Sequence, residues 1–227
     1  MNFPHLSSNL KSTFIILIIA TIFISCNSKV KHQERPTILV KTAPVLEQTS
    51  TIEDFNANRT TKQYLTELNE VLSDPTIDEY YKKIFKQEKL IWVEDEKMLT
   101  IIDSLSTKNK TRELFYFIVF TKTMNGADGF YSEPLGEKAL WYIINREQHF
   151  ADYFAKIPKL TRKDLNNWSS NILGEIKITR ENEEQKALTE LEEKLVSNLK
   201  ITNFKVKEPI IKLIDLIKKH LNQSVHN

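Results

Sequence analysis

Apolar side chains recur along this chain at the spacing of an α-helix, and this pattern limits the fold more than any other feature of the sequence. The clearest stripe lies near the C-terminus at positions i, i+3, i+4, i+7 and i+11, occupied by Ile210, Leu213, Ile214, Ile217 and Leu221. This spacing places all five side chains on one face of a helix. Comparable stripes occur in residues 64–72, 80–85, 98–105, 140–154, 165–172 and 188–195. Helices of this kind bury their apolar faces against one another.

Little in the sequence suits a β-sheet. The chain has only four Gly in 227 residues, which leaves few for tight hairpins. One continuous apolar run, Leu114–Phe120, contains strand-forming residues, but no second run of this kind exists to pair with it. We therefore interpret it as a buried helix, and we predict an all-α fold in which a single compact domain of about eight helices occupies residues 56–227.

The residues before this domain have a different composition. Residues 26–55 are rich in Lys, Gln, Thr and Ser, contain Pro36 and Pro44, and show no sustained helical or strand period. Such segments connect domains as extended linkers. We predict a flexible tether over 26–55, with a short strand at Thr37–Val40 as the alternative for that part of it.

Capping residues predict where several helices begin and end. Ser73-Asp74-Pro75 and Ser132-Glu133-Pro134 each place a capping side chain near a proline, which a first helical turn tolerates. Pro209 predicts the start of the C-terminal helix in the same way. Thr161 and Asp164 have the spacing of a capping box. The helix that follows Pro134 is expected to break near Asn145.

Charge and cysteine content exclude several classes of protein. The chain has 32 Lys and Arg against 30 Asp and Glu, so no field attracts nucleic acid and no nucleic-acid partner is expected. With 41% apolar residues most of the chain folds. The single cysteine excludes an internal disulfide and a cysteine-based zinc knuckle.

That cysteine follows an apolar segment close to the N-terminus. Residues Thr13–Ser25 carry no charge, Lys11 precedes them and Cys26 follows directly. A spanning helix needs about 20 apolar residues, so this shorter run is typical of a secretory signal peptide. We predict a signal peptide at residues 1–25, with an uncleaved anchor helix as the alternative.

The four residues Phe23-Ile24-Ser25-Cys26 resemble the lipobox of bacterial lipoproteins, most closely the Bacteroidota type. The resemblance covers the first 26 residues and implies that Cys26 is diacylated and becomes the mature N-terminus. Asn27 is not the Asp that retains enterobacterial lipoproteins in the inner membrane, and residues 27–31 lack the acidic run associated with surface export. We expect a lipid anchor in the outer membrane, facing the periplasm.

Known catalytic and metal-binding patterns are missing from the sequence. The histidines of the mature chain, His32, His149, His220 and His226, form no pair with ligand spacing, and no HExxH or G-x-S-x-G motif occurs. We expect no metal, no cofactor and no catalytic residue. The chain is therefore predicted not to be an enzyme.

The most unusual segment of the domain runs from Asn125 to Glu133. It contains Asp128, Phe130, Tyr131 and Glu133, and three of the four glycines of the chain lie in or next to it. One interpretation is a helix connection whose aromatic side chains enter the core. The other is a loop that contacts a partner, since Tyr is favoured at interaction hot spots.

These features predict a lipid-anchored cell-envelope protein that acts as a non-catalytic helical interaction module, such as an adaptor, an assembly factor or a periplasmic immunity protein. Its partners would be the membrane, through acyl chains, and another protein. The alternative is an envelope glycan hydrolase that uses Asp128 and Glu133 as its carboxylate pair beside Tyr131. Lys212, Lys218 and Lys219 lie opposite the apolar stripe of the last helix; we expect this helix to dock on the domain rather than lie on a membrane.

Overall fold

Nine helices follow one another in the part of the chain that the structure describes. The computed structural model describes residues 56, 58–87, 95–106, 110–125, 129–199 and 204–225, and all of these belong to one compact unit. The helices are α1 (Thr61–Ser73), α2 (Glu79–Lys86), α3 (Asp95–Ser104), α4 (Lys110–Thr123), α5 (Gly129–Asn145), α6 (Glu147–Lys156), α7 (Arg162–Thr179), α8 (Glu184–Asn198) and α9 (Phe204–Val225). No strand occurs among the described residues, and the predicted all-α fold is confirmed. The predicted signal peptide, tether and alternative strand at Thr37–Val40 lie outside these residues.

The apolar run that could have been a strand forms the centre of the domain as α4. Six of its seven side chains are completely buried, at 0% exposure: Leu114, Phe115, Phe117, Ile118, Val119 and Phe120. Helices α1, α2, α3 and α7 pack around it. A helix that is apolar on every side is stable only inside a protein, and here the surrounding helices supply that interior.

A single tryptophan joins α4 to α5, α6 and α7. The ring of Trp168 in α7 lies 5.4 Å from Phe117, 5.0 Å from Phe150 and 5.9 Å from Tyr142, measured between ring centroids. Its indole N–H donates to the Thr121 hydroxyl over 3.0 Å. Each aromatic pair of this kind contributes about 0.5–1.5 kcal/mol beyond the burial of its area, so this cluster fixes α7 against the central helix.

Helix α7 begins at the predicted capping box. The Thr161 hydroxyl accepts from the Asp164 N–H, and the Asp164 carboxylate accepts from the Thr161 N–H over 2.7 Å. The predicted break in the preceding segment is also confirmed, because α5 ends at Asn145 and α6 begins at Glu147. Because of this break the described residues form nine helices, whereas the sequence predicted about eight.

The predicted start of α2 at Asp74-Pro75 is wrong. The helix begins at Glu79, and Asp78 caps it by accepting from the Tyr80 N–H over 2.8 Å. Asp74 instead holds the turn before the helix, because its carboxylate accepts from the Thr76 N–H over 2.8 Å. Both aspartates have the chemistry of a cap, and only the second lies directly before the apolar stripe.

The predicted starts of α5 and α9 at their prolines are wrong as well. Pro134 and Pro209 are each the sixth residue of their helix, so each helix gains a turn before its proline. The residue three positions earlier is buried in both cases: Tyr131 is 5% and Val206 is 7% exposed. A proline removes one hydrogen bond from a helix, and burial of these side chains offsets that loss.

The last helix docks on the domain as predicted. Ile210, Leu213, Ile214 and Ile217 are at most 2% exposed, and α9 packs on α6, α7 and α8. Lys218 on its outer side pairs with Glu192 over 2.7 Å. Among the described residues no helix combines the length and hydropathy required to cross a bilayer.

Candidate functional site

The residues singled out in the sequence lie in different environments. Cys26 and Asp128 are outside the described residues. Phe130 is the second residue of α5, and its side chain is also outside them. Tyr131 is buried in the first turns of α5, whereas Glu133 is exposed on the same helix.

Tyr131 is a core residue. Its hydroxyl lies 3.0 Å from the Thr123 hydroxyl, and Thr123 in turn donates to the carbonyl of Phe120 over 2.6 Å. Burial raises the pKa of Tyr131 well above its ordinary value. The side chain therefore enters the core, as the first interpretation of the segment had it, and is not available to a partner.

Glu133 belongs to a group of three carboxylates between α5 and α7. Glu137 follows it by one turn on α5, and Glu175 of α7, which is 8% exposed, lies across from them. Burial raises the pKa of Glu175, and the neighbouring Glu137 and Glu133 carboxylates raise it further. The helices come close here because Gly136 has no side chain; a Cβ at that position would lie 3.2 Å from the Asn171 carbonyl oxygen.

A recess in the described part of the chain lies elsewhere. It is a groove of about 640 Å³ formed by the end of α6, the start of α7 and the first half of α9. Its lining residues are Phe154, Ala155, Leu160, Thr161, Arg162, Leu165, Glu208, Pro209, Lys212, Asp215 and Leu216. A volume of this size accommodates several side chains of a bound segment, and none of the three carboxylates described above lines it.

The groove combines an apolar floor with a charged rim. Phe154 and Leu216 are partly buried and pack on the hydrophobic core, so their free edges face the groove. At the rim Lys212 pairs with Glu208 over 2.6 Å. Arg162, by contrast, is exposed and forms no ion pair with any described residue. Asp215 in the lining is likewise exposed and forms no ion pair with any described residue. The groove therefore offers apolar surface together with one guanidinium and one carboxylate that have no ion-pair partner among the described residues.

A buried ionic cluster that the sequence did not reveal joins α1 to α6. Asp152 is 0% exposed. Its carboxylate accepts from the Tyr64 hydroxyl over 2.5 Å and lies 2.6 Å from the Lys156 ammonium. Burial, followed by the Asp152 carboxylate, raises the pKa of Tyr64. The i, i+4 spacing of Asp152 and Lys156 was visible in the sequence, but the distant Tyr64 was not.

A serine and histidine contact between α7 and α9 was also missed. The His220 ring nitrogen Nδ1 lies 3.4 Å from the Ser169 hydroxyl and 3.3 Å from that of Ser170. Ser169 already donates its proton to the Asn166 carbonyl over 2.7 Å, so towards His220 it can only accept. Burial lowers the pKa of His220, and Lys219 lowers it further. The long distances and the neighbouring cation make this a packing contact between helices rather than an activated nucleophile.

Metal ligands do not converge in the described residues, where no group of three His, Cys, Asp or Glu side chains is placed to hold an ion. Two other features of the described residues remain as candidates: the groove and, at the α5–α7 contact, a carboxyl group with a raised pKa. Comparison with known proteins adds no assignment, since no family model, no curated protein and no solved structure matches this chain.

Proposed function

We propose that this chain is a lipid-anchored cell-envelope protein whose helical domain binds another protein and catalyses no reaction. The groove between α6, α7 and α9 is the binding site in this proposal. The observation that carries it is the exposed Arg162 at the rim, which has no ion-pair partner among the described residues, beside the partly buried Phe154 and Leu216.

Anchoring rests on the sequence before the domain. An apolar run without charges ends at Cys26, the single cysteine of the chain, and the residues around it resemble a lipobox. Acyl chains on that thiol would supply about 0.8 kcal/mol for each CH₂ group buried in the membrane. Two or more chains hold a protein on a bilayer stably, and we place this protein in the outer membrane, facing the periplasm.

The groove indicates what kind of partner segment it binds. Phe154 and Leu216 require apolar side chains, and Arg162 requires a carboxylate that can accept two parallel N–H bonds. An amphipathic segment with an acidic residue beside its apolar face satisfies both requirements. An adaptor, an assembly factor and an immunity protein that neutralises a periplasmic toxin would all use such a site.

Crosslinking in the native envelope tests this proposal. The parent chain and the variants Cys26→Ala, Arg162→Glu and Lys186→Glu are each crosslinked and captured, and the bound proteins are identified by mass spectrometry. We expect one stoichiometric protein with the parent, and its loss with Cys26→Ala and Arg162→Glu. Lys186 is exposed on α8, away from the groove, so its variant is the matched control and should retain the partner.

A result in which no protein is captured by the parent, or in which Arg162→Glu and Lys186→Glu behave alike, contradicts the proposal. The second candidate is the envelope glycan hydrolase, which the raised pKa of Glu175 beside Glu133 and Glu137 favours. Release of soluble fragments from purified peptidoglycan by the parent, and not by Glu175→Gln, would support that candidate instead.

A further inference from the structure

One end of the domain carries a group of lysines that lack ionic partners. We call it the basic end and define it by Lys62, Lys83, Lys86, Lys159 and Lys163. Four of these side chains are exposed and Lys159 is partly buried. Within the described residues none of the five forms an ion pair, although other lysines and arginines around them do.

Contacts between helix ends bring these lysines together. Asp74, which follows α1, pairs with Arg112 in the first turn of α4 over 2.6 Å. The two helices are therefore antiparallel, and α1 begins where α4 ends. At that end Lys122 of α4 donates to the Lys159 carbonyl over 2.8 Å and so places the α6–α7 connection beside it.

The same end includes the last turn of α2 and the first turn of α7. The Lys159 ammonium lies 4.7 Å from the centre of the Phe85 ring, which brings the neighbouring Lys86 and Lys83 to this end. Lys163 belongs to the first turn of α7. Burial lowers the pKa of Lys159, and the nearby Lys122 ammonium lowers it further, as expected where cations are close.

Three acidic side chains among the described residues at this end are already engaged. Asp164 pairs with Lys122 over 2.6 Å, and Asp152 pairs with Lys156 over 2.6 Å. Arg59 forms an ion pair with Glu67. Each of these pairs cancels one positive and one negative charge. Glu79, near Lys83 and Lys86, is paired with Lys82, and Glu70 lines a recess with Lys62. Five lysines against this one unpaired carboxylate leave an excess of positive charge among the described residues.

The chain also enters the domain at the basic end. The residues just before α1 lie against the end of α6, because the Lys156 ammonium donates to the Arg59 carbonyl over 2.7 Å and the Thr61 hydroxyl donates to the Lys156 carbonyl over 3.1 Å. By sequence, residues 26–55 carry four Lys and Arg against four Asp and Glu, so they add no net charge to the basic end.

We propose that the basic end docks on an anionic phospholipid surface and orients the domain on the membrane that holds its lipid anchor. This inference rests on the proposed function for the anchor itself. A tether of 30 residues would allow any face of the domain to approach the bilayer, so attachment alone sets no orientation. The lysines set the orientation, because each cation of a cluster near an anionic bilayer adds to the binding of that face.

The residue type favours lipid over an acidic protein. All five members of the basic end are lysines, which present single mobile charges on flexible stems. Such charges suit a fluid array of headgroups that has no fixed geometry, whereas the planar fork of arginine matches a carboxylate or phosphate held in one position. The exposed arginine nearby, Arg162, lies in the groove assigned above to the protein partner.

Lysine footprinting on vesicles tests the orientation. The full chain, purified from membranes with its lipid, is reconstituted into vesicles of phosphatidylcholine alone or with about 30% phosphatidylglycerol. Lysines are acylated briefly and the labelling of each is measured by mass spectrometry. We expect labelling of Lys62, Lys83, Lys86 and Lys163 to fall about threefold or more on the anionic vesicles and to recover in about 0.5 M salt, which screens charges beyond a few ångströms.

Lysines remote from the basic end serve as internal controls. Lys177 near the end of α7 and Lys186 in α8 should label equally on both kinds of vesicle. The variant Lys62→Glu/Lys83→Glu/Lys163→Glu, whose changes are all at exposed positions, should lose the orientation: its labelling of Lys86 should become the same on anionic and neutral vesicles. Its melting temperature is measured alongside to show that the fold is kept.

Protection that is independent of lipid charge, or that covers Lys177 and Lys186 equally, would overturn the proposal. Protection on neutral vesicles that appears only after an envelope protein extract is added would assign the basic end to an acidic protein instead. The intact mass of the purified chain reports the acyl chains on Cys26 separately. A chain without acyl groups would contradict the anchor. The difference in its lysine labelling between anionic and neutral vesicles would still test the role of the basic end.

Discussion

At the start of α7, Asp164 is 5% exposed and holds both its capping partner Thr161 and the ammonium of Lys122, whose side chain is 8% exposed. At the other end of the same helix, Arg180 reaches Glu183 and Glu190 through side chains that are 36%, 53% and 49% exposed. The first set of contacts is shielded from water and the second is not. Ion pairs in water contribute little, whereas a buried charge that loses its partner is costly.

The two ends therefore differ in what holds them. The first end is stabilised by the buried contacts of Asp164 with Thr161 and Lys122. Loss of the Asp164 carboxylate there leaves the Lys122 charge buried without its partner. The second end combines screened ion pairs with three neighbouring carboxylates and a glycine inside the helix. Substitutions at the second end can therefore raise the stability of the domain, whereas substitutions at the first end are expected to lower it.

Removing the carboxylate at the first end has the largest expected effect. Asp164→Ala deletes the acceptor for the Thr161 N–H and leaves Lys122 without its buried partner, which we expect to lower the free energy of unfolding by about 3 kcal/mol. Urea unfolding followed by circular dichroism measures this as a lower midpoint. Asp164→Asn keeps an acceptor for the cap and should lose less.

The matched change at the second end is Glu190→Gln, which removes one exposed partner of Arg180. Its urea midpoint should equal that of the parent. If Glu190→Gln destabilised the domain as much as Asp164→Ala, the contrast between the two ends would be wrong.

A smaller effect of opposite sign is expected inside the second half of α7. A Cβ added at Gly174 would meet no atom within 4 Å, and alanine restricts the unfolded chain more than glycine does. We expect Gly174→Ala to raise the free energy of unfolding by about 0.5–1 kcal/mol. Gly136→Ala is the control, because its Cβ would lie 3.2 Å from the Asn171 carbonyl oxygen; it should gain less, and an equal gain would show that this close approach does not matter.

The smallest effect concerns the three carboxylates. A carboxyl whose pKa is raised in the folded state binds its proton more tightly there, so its ionisation at neutral pH costs stability. Glu175→Gln should raise the melting temperature by about 1–2 °C at pH 7. The gain should shrink as the pH falls through the raised pKa towards the ordinary value of 4.5, where the parent is protonated as well.

Thermal unfolding of both chains between pH 7 and pH 4.5 measures that difference. Glu193→Gln, at an exposed position of α8, is the control and should follow the parent at each pH. A gain for Glu175→Gln that did not change with pH would mean that packing, rather than the charge of Glu175, is responsible.

Local patterns predicted most of the fold because the forces that they report act within a few turns of the chain. The capping box at Thr161, the seam of Leu188, Leu191 and Leu195, and the apolar face of α9 all appear where expected. The starts of α5 and α9 were misplaced because burial of Tyr131 and Val206 outweighs the local preference of proline for the first turn. That burial depends on neighbours distant in sequence.

The candidate sites were less predictable for the same reason. The groove is made by residues from α6, α7 and α9 that lie up to 62 positions apart in the chain, and no local pattern reports such a recess. Tyr131 was singled out because glycines and aromatic residues are concentrated around it in the sequence, and the structure places its side chain in the core. The lysines of the basic end come from four separate segments, so the near-neutral charge of the whole chain conceals them.

The hydrogen bond between Tyr64 and Asp152 also has a consequence for the order in which the domain assembles. The two residues are 88 positions apart, so α1, although it is made first, has no partner for its buried hydroxyl until α6 has been synthesised. Closing a loop of that length slows folding. A nascent chain that ends before Asp152 therefore leaves the Tyr64 hydroxyl without its carboxylate partner, although α1 can already pack on α4.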